Sequence, residues 1–458
     1  MSNPGEADVT PITSPDSGLR QLAEWLEAGA KPPRQFRIGT EHESFGFRHH
    51  GYAPIPYEPD GIRKVLEFLA LEEGLQPILD QGNIIGLVGD KFSLSLEPGG
   101  QFELSGGALD DLHETKAEID THIRRAHRVG AAFRIGFAPL GFHPTARRDD
   151  MPWMPKSRYA IMRRYMPKVG TRGLDMMLRT CTVQANLDFC SEQDMARKMR
   201  LAYRLQPMTT ALFANSPFRE GKPTGLLSNR AHAWLDTDDA RTGILRCVFA
   251  EGFGFERYVQ YLLDVPMYFV YRDGKYIDVA GGSFRDFMAG KLDGFLGQRP
   301  TIGDFADHAT TVFPDVRLKR FIETRGADAG NPAMLVAQPA LWAGLFYDDA
   351  ALEAATQLTQ HITYEDVLLM RLAVPERGLE TEVSGRLLRD LARDMIAIAD
   401  DGLRARARLN LSGKDERIYL EPLRAIAEGA PTQAEHWLGR YAGAWHGDTS
   451  KIFNEAAF

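Results

Sequence analysis

Cysteine is scarce in this sequence. Three occur in 458 residues, Cys181, Cys190 and Cys247. That is too few to staple a chain of this length through disulfides, and it fits a reducing compartment. None belongs to a Cys-x-x-Cys pair, so a thiolate zinc site of the usual spacing is not expected. A basic excess is missing too. Lys and Arg number 54 against 62 Asp and Glu, a net charge of −8, and a general nucleic-acid binder needs a positive surface. No uncharged apolar run reaches the roughly 18 residues of a membrane span. The segment Met1–Pro15 carries Glu6 and Asp8 and no apolar stretch. It resembles neither a secretory signal nor an Arg-rich transit peptide, so a cytoplasmic location is expected.

The common nucleotide and hydrolase signatures are also absent. There is no Gly-x-x-x-x-Gly-Lys-Ser/Thr loop and no His-Glu-x-x-His helix. Gly252-Phe253-Gly254 opens like a dinucleotide fingerprint but lacks the third glycine. Gly281-Gly282-Ser283 fails as a nucleophile elbow, because Arg285 stands where the second glycine belongs. Asp236, Asp238 and Asp239 begin like a calcium loop, but Arg241 replaces its obligatory glycine.

What is present is an ordinary globular composition, 44 % hydrophobic and 25 % charged, which excludes a mostly disordered or fibrous chain. Residues 1–16 read as a loose tail. Strands are expected at 35–47, 83–88, 92–96, 101–105, 133–140, 180–189, 266–271 and 316–325. Helices are expected at 59–73, 111–129 and from Ser191 to about 215, with Ser191 and Asp194 as a capping box. Residues 143–178 read as a long ordered loop with short helices, and the chain turns helical from about 333. An α+β catalytic core over 17–330 is therefore expected. A mainly helical part over 331–458 packs on it as one structural unit.

The chemistry lies in carboxylates on strands. Glu41 and Glu43 are two apart and share a strand face. They are either solvent-screened or held by a hard divalent cation such as Mg²⁺. Glu97 and Glu103 flank the turn Pro98-Gly99-Gly100, which folds one strand end back on the other. Glu323 and Arg325 share a face as well, as an ion pair or as a metal ligand beside a phosphate-binding fork. Thr182, Gln184, Asn186 and Asp188 make a polar stripe that faces solvent or lines a wet site. Lys156, Arg158, Arg163, Arg164 and Arg179 form a local basic excess in an acidic chain, either a solvated patch or a place for an anionic substrate. Together these suit metal-dependent phosphoryl chemistry.

Long stretches are also familiar. Phe36-Arg37-Ile38-Gly39-Thr40-Glu41-His42-Glu43, the run Leu96 to Gly106 containing Glu97-Pro98-Gly99-Gly100-Gln101-Phe102-Glu103, and Gly173 to Gln184 resemble the plant-type glutamate–cysteine ligase family, which also occurs in bacteria. So do Phe213 to Phe218, Leu263 to Tyr268 and Phe313 to Arg320. The resemblance implies a glutamine synthetase-like carboxylate–amine ligase fold, with an antiparallel sheet forming a funnel-shaped site and helices outside. It implies ATP-dependent joining of L-glutamate to L-cysteine through a γ-glutamyl phosphate, the first step of glutathione synthesis. It implies Mg²⁺ on Glu41, Glu43, Glu103 and Glu323, with Glu97 on metal or the cysteine amine. Arg325 would meet the ATP γ-phosphate, beside Gln184, which stands where more distant relatives carry a His. Asn186 follows on the substrate side. Arg179 and Arg230 would anchor the glutamate α-carboxylate or a transferred phosphate, and Glu103, Arg325 and Arg179 would form the catalytic set. Expected partners are glutamate, cysteine and ATP, without nucleic acid or membrane, in a monomer or homodimer. Plant members carry a regulatory cysteine pair in the stretch corresponding to about 280–295. No cysteine stands there, so no disulfide switch is expected.

Overall fold

The computed structural model describes residues 8–13 and 15–458. Its centre is a nine-stranded sheet, labelled here β1–β9 in chain order: Ile38–Arg48, Gln76–Asp80, Asn83–Val88, Ser93–Leu96, Phe102–Ser105, Ile135–Ala138, Thr182–Leu187, Val316–Leu318 and Ile322–Asp328. The spatial order is β8-β9-β7-β1-β5-β4-β3-β2, with β6 paired to the far end of β1. Every pairing is antiparallel. This is the α+β architecture expected of a carboxylate–amine ligase fold.

Alternation along each strand divides the sheet into two unlike faces. On β7, Val183, Ala185 and Leu187 are fully buried among the core side chains. Thr182, Gln184 and Asn186 point the other way. On β1, Ile38 joins the core while Glu41 and Glu43 turn to the opposite face. The apolar face is covered by the helices Leu112–Phe133, Glu192–Leu212 and Pro332–Phe346. The last of these is apolar nearly all round and buried along most of its length, as a helix between a sheet and further helices must be. It also packs closely against Leu388–Arg406. No helix among the described residues is long and apolar enough to cross a membrane.

The differences from expectation are local. β1 starts at Ile38 rather than residue 35, because Pro33–Gln35 close a short 3₁₀ turn. Strand β2 was not foreseen. It is an edge strand containing Pro77, which has no amide to donate to the ladder. The helix after Ser191 is capped as expected, since Ser191 Oγ accepts from the Asp194 amide. The Asp194 carboxylate, however, receives Cys190 N–H rather than that of Ser191, so the box does not close. The helical C-terminal part contains a small hairpin, Glu382–Val383 with Arg386–Leu387. The three cysteines are unpaired, with Cys181 buried and Cys190 exposed.

Two helices approach to the limit where they cross. A Cβ placed on Gly402 would lie 1.9 Å from the carbonyl oxygen of Gly344, and one on Gly344 would lie 2.4 Å from that of Ala399. Neither obstacle is a flexible side chain, so the backbones must part if either glycine gains a side chain. Gly402→Val is expected to destabilise the protein by at least about 1–3 kcal/mol, the range for overpacking a close-packed core. A lowered denaturant midpoint, with KM values unchanged in the folded fraction, is the expected reading. An unchanged midpoint contradicts it.

Candidate active site

The polar face of the sheet begins at the turn joining β4 to β5. Gly100 N–H donates to the Glu97 carbonyl at 2.9 Å, and Gly100 has φ +84°, a conformation glycine adopts without strain. Gly99 passes the Leu178 carbonyl so closely that a Cβ would sit 2.3 Å from its oxygen. The Gln101 amide then ties the turn to residues 177–180, donating to the carbonyls of Met177 and Thr180 at 3.1 and 3.0 Å. The turn thus fixes Glu97 at the end of β4 and Glu103 on β5.

Register brings the carboxylates together. Glu43 pairs with Glu103 across β1 and β5, and Glu103 pairs with Ser95 across β5 and β4. Directly opposed residues have Cβ atoms about 5 Å apart, where like charges repel. Ser95 Oγ donates to Glu103 Oε2 at 2.6 Å, Ser105 Oγ donates to Oε1 at 3.3 Å, and the Thr182 amide donates to Glu43 at 3.1 Å. These donors do not remove the strain. Burial, and then the charges of Glu97 and Glu103, hold the Glu43 carboxyl well above its ordinary range against Arg230 and the Thr182 amide. Burial and the Glu103 charge push Glu97 up to about 7. Burial pulls the Lys156 ammonium down to about 8, opposed by the pull of Glu97 and Glu103.

A cleft of about 100 Å³ opens beside Glu43 and Glu97. Glu43, Glu97, Gln184, Arg230 and Arg325 line it, with Arg158 and Tyr159 at one side and an apolar wall of Met162, Met176, Met177 and Phe269. The Tyr159 hydroxyl donates to the Leu96 carbonyl at 3.0 Å and lies 3.4 Å from Glu97. One end is therefore acidic and the other cationic, as expected where phosphates and metal ions meet.

The cationic end is organised by Glu323, which is fully buried. Arg317 grips its two oxygens at 2.7 and 3.0 Å, Lys319 adds a contact at 3.0 Å and Arg325 one at 2.6 Å. Although burial opposes it, this cage holds the Glu323 carboxyl far below the usual range. Both oxygens are engaged by cations, so Glu323 is the clasp of a cationic cluster. Arg325 also donates to Gln184 Oε1 at 2.7 Å. Gln184 thereby aims the arginine. Deeper on the same face, the Asn186 amide donates to Glu41 at 3.2 Å.

Arg179 does not join the site. Its helix, Gly173–Arg179, places Asp175 one turn earlier. Asp175 takes the guanidinium at 2.7 and 2.9 Å, the Ala146 carbonyl and Glu220 accept two more bonds, and the group lies over the Phe142 ring. A buried arginine must have its donors satisfied, and these partners turn it away from the cleft. Arg179, for which a substrate-binding and catalytic role was expected, therefore does not line the cleft. Several contributors were missed. Ser95 alternates with Glu97 on β4, and Arg317 with Lys319 on β8, so strand parity carried a signal for both. Tyr159 reaches the cleft from a helix and carried none.

Among the described residues no group of three or more His, Cys, Asp or Glu side chains is disposed to hold a metal ion. The donors present are hard oxygens, Glu43 opposite Glu103 with Glu97 beside them; the Glu43 and Glu97 carboxyls are held above their ordinary range and that of Glu103 below it, so the negative charge is concentrated on Glu103. That set fits Mg²⁺, which takes one or two protein carboxylates and completes its shell with water and phosphate oxygens.

The electrostatics give a signed expectation. Glu103 raises Glu97, so Glu103→Gln should move the Glu97 midpoint from about 7 downward, read by NMR of a labelled carboxyl. The folded value lies above the ordinary 4.5, so the stability Glu97 contributes is complete below about pH 4.5 and is lost as pH rises through 7. Glu97→Gln should therefore gain stability relative to wild type at pH 8 compared with pH 5. A pH-independent difference contradicts the assignment.

Comparison with known proteins identifies the family and the fold. The model of glutamate–cysteine ligase family 2 matches residues 37–455. Glutamate–cysteine ligase B, chloroplastic, of Oryza sativa subsp. japonica is 49 % identical over 98 % of this chain and 88 % of its own length. The chloroplastic glutamate–cysteine ligase of Arabidopsis thaliana is 48 % identical over 98 % of this chain and 83 % of its own. Among solved structures, a Francisella tularensis glutamate–cysteine ligase in complex with AMP shares the fold. Its TM-score is 0.54, with 12 % identity, over 92 % of this chain and 87 % of that one. With a family model spanning most of its length and relatives nearly half identical along almost all of it, the chain belongs to glutamate–cysteine ligase family 2.

Proposed function

We propose that this cleft joins the γ-carboxylate of L-glutamate to the amine of L-cysteine with consumption of ATP, and that Glu43, Glu97 and Glu103 hold Mg²⁺ with the nucleotide. Family membership supports the reaction. The observation that carries the site is the juxtaposition, in one cleft, of strained carboxylates with Arg230 and Arg325.

A carboxylate is a poor electrophile, because its leaving group would be an oxide. Phosphorylation of the glutamate γ-carboxylate by ATP makes phosphate the leaving group and releases ADP. Attack of the cysteine amine on the acyl carbon then gives γ-glutamylcysteine and phosphate. Both glutamate and the γ-phosphate are anions and repel each other. Mg²⁺ on the carboxylates would neutralise phosphate charge at that approach. Arg325, aimed by Gln184 and Glu323, and Arg230 supply fixed cationic donors for a phosphoryl group or for the glutamate α-carboxylate, with no reorganisation needed as charge moves. The wall of Met162, Met176, Met177 and Phe269 suits a thiol side chain better than a hydroxyl, since a thiol gives up little hydration there.

ADP release is expected to require Mg²⁺, glutamate and cysteine together. Equal release without either amino acid would make the protein a phosphohydrolase and end this reading. Glu103→Gln should lower turnover at least about 10²-fold, the scale for one preorganised electrostatic element. The variant should still fold, because Gln keeps the shape of the side chain and the charge removed is one that raises Glu43 and Glu97. Normal turnover in that variant would take Glu103 out of the site.

A further inference from the structure

Arg230 is buried at the cleft wall, and both of its ends are tied to one strand. Its guanidinium donates to the Arg325 carbonyl of β9 at 2.6 Å. Its backbone is tied further along the same strand, at Asp328. Asp328 is fully buried and accepts three bonds: from the Asn215 amide at 2.9 Å, Ser216 Oγ at 2.6 Å and Ser228 Oγ at 2.9 Å. The two serines pass the constraint on. Ser228 is the N-cap of the short helix Asn229–Ala233, accepting from the Ala231 amide at 3.0 Å. Ser216 Oγ accepts from the Arg230 amide itself at 3.3 Å.

Asp328 reaches this position through an irregularity in the ladder. β9 pairs Thr324 with Ala185 and then Ala327 with Val183, so β9 uses three steps where β7 uses two. This one-residue bulge shifts the parity of the strand. Asp328 lies opposite Thr182 and therefore on the side of Gln184, Arg325 and Glu323. Strict alternation from Arg325 would send it to the core. Space for the carboxylate depends on Gly141, where a Cβ would lie 2.2 Å from Asp328 Cγ.

We propose that Asp328 is a positioning residue for the ligation reaction: through Ser216 and Ser228 it fixes the backbone from which Arg230 reaches the anionic group of a substrate, a glutamate carboxylate or an ATP phosphoryl group. The proposal rests on the reading of Arg230 as an anion anchor.

The test is a kinetic cycle on the full-length enzyme with Asp328→Asn, Arg230→Ala and the double variant, measuring KM for glutamate, ATP and cysteine, kcat, and melting temperature. A merely structural lesion lowers the active fraction, and so the apparent kcat, and leaves KM alone. The expected result for Asp328→Asn is a rise of about 10-fold or more in KM for glutamate or for ATP, the substrate affected identifying the anion. KM for cysteine should stay within about 2-fold, and little further effect should appear on the Arg230→Ala background. A folded Asp328→Asn enzyme with wild-type KM values overturns the proposal. So does an equal rise on the Arg230→Ala background, because Asp328 would then act independently of Arg230. Wild-type kinetics in Arg230→Ala overturn the anchor reading and the proposal with it. If Asp328→Asn does not fold, Ser228→Ala breaks the same link at its helix cap and is judged by the same comparisons.

Discussion

Like-charge repulsion between Glu43 and Glu103 is the constraint around which the site is built. They occupy opposed positions on neighbouring strands, with Glu97 brought alongside by the Pro98-Gly99-Gly100 turn. In water such a trio would disperse. Here the sheet register holds them, and the apolar core behind the sheet supplies the free energy that holds the register. The crowding appears as Glu43 and Glu97 carboxyls that hold their protons above the ordinary carboxylate range. A protein with only a binding task has no reason to keep that strain, whereas one that must bring a carboxylate to a triphosphate gains a ready place for divalent cations.

The opposite charge is arranged with equal economy. Glu323 draws Arg317, Lys319 and Arg325 into one cluster, and β9 carries both the clasp and the arginine it orients. The same strand, after its bulge, supports the Asn229–Ala233 helix through Asp328. The carboxylates of β1 and β5 and the cationic cluster of β8 and β9 therefore lie on either side of β7 in one sheet, and their separation is fixed by strand spacing rather than by loops. Rigid elements hold catalytic geometry better than loops do.

Much of this was legible along the chain. Alternation on β1, β4, β5 and β7 identified the faces of Glu41, Glu43, Glu97, Glu103, Gln184 and Asn186, because strand periodicity is local and a polar face is visible in a run of six residues. The turn between Glu97 and Glu103 was legible because its glycines serve a conformation and a close approach. Arg179 lies away from the cleft for a reason equally physical. Its nearest partner, Asp175, is one helical turn away, but the carbonyl of Ala146 and the Glu220 carboxylate that complete its cage come from distant segments.

The sequence alone determined the α+β class, the strands that carry the carboxylates, the face each carboxylate takes and the resemblance to a ligase family. Those features depend on spacing and residue type over a few positions. Only the tertiary structure decided that Glu43 stands opposite Glu103, that Glu323 is clasped by three cations, and that Arg179 turns away from the cleft. It alone placed Asp328 on the site face, because the bulge in β9 is fixed by pairing with β7, some 140 residues away in the chain. Register and parity past a bulge are set by which strand lies alongside, and no local pattern contains that information.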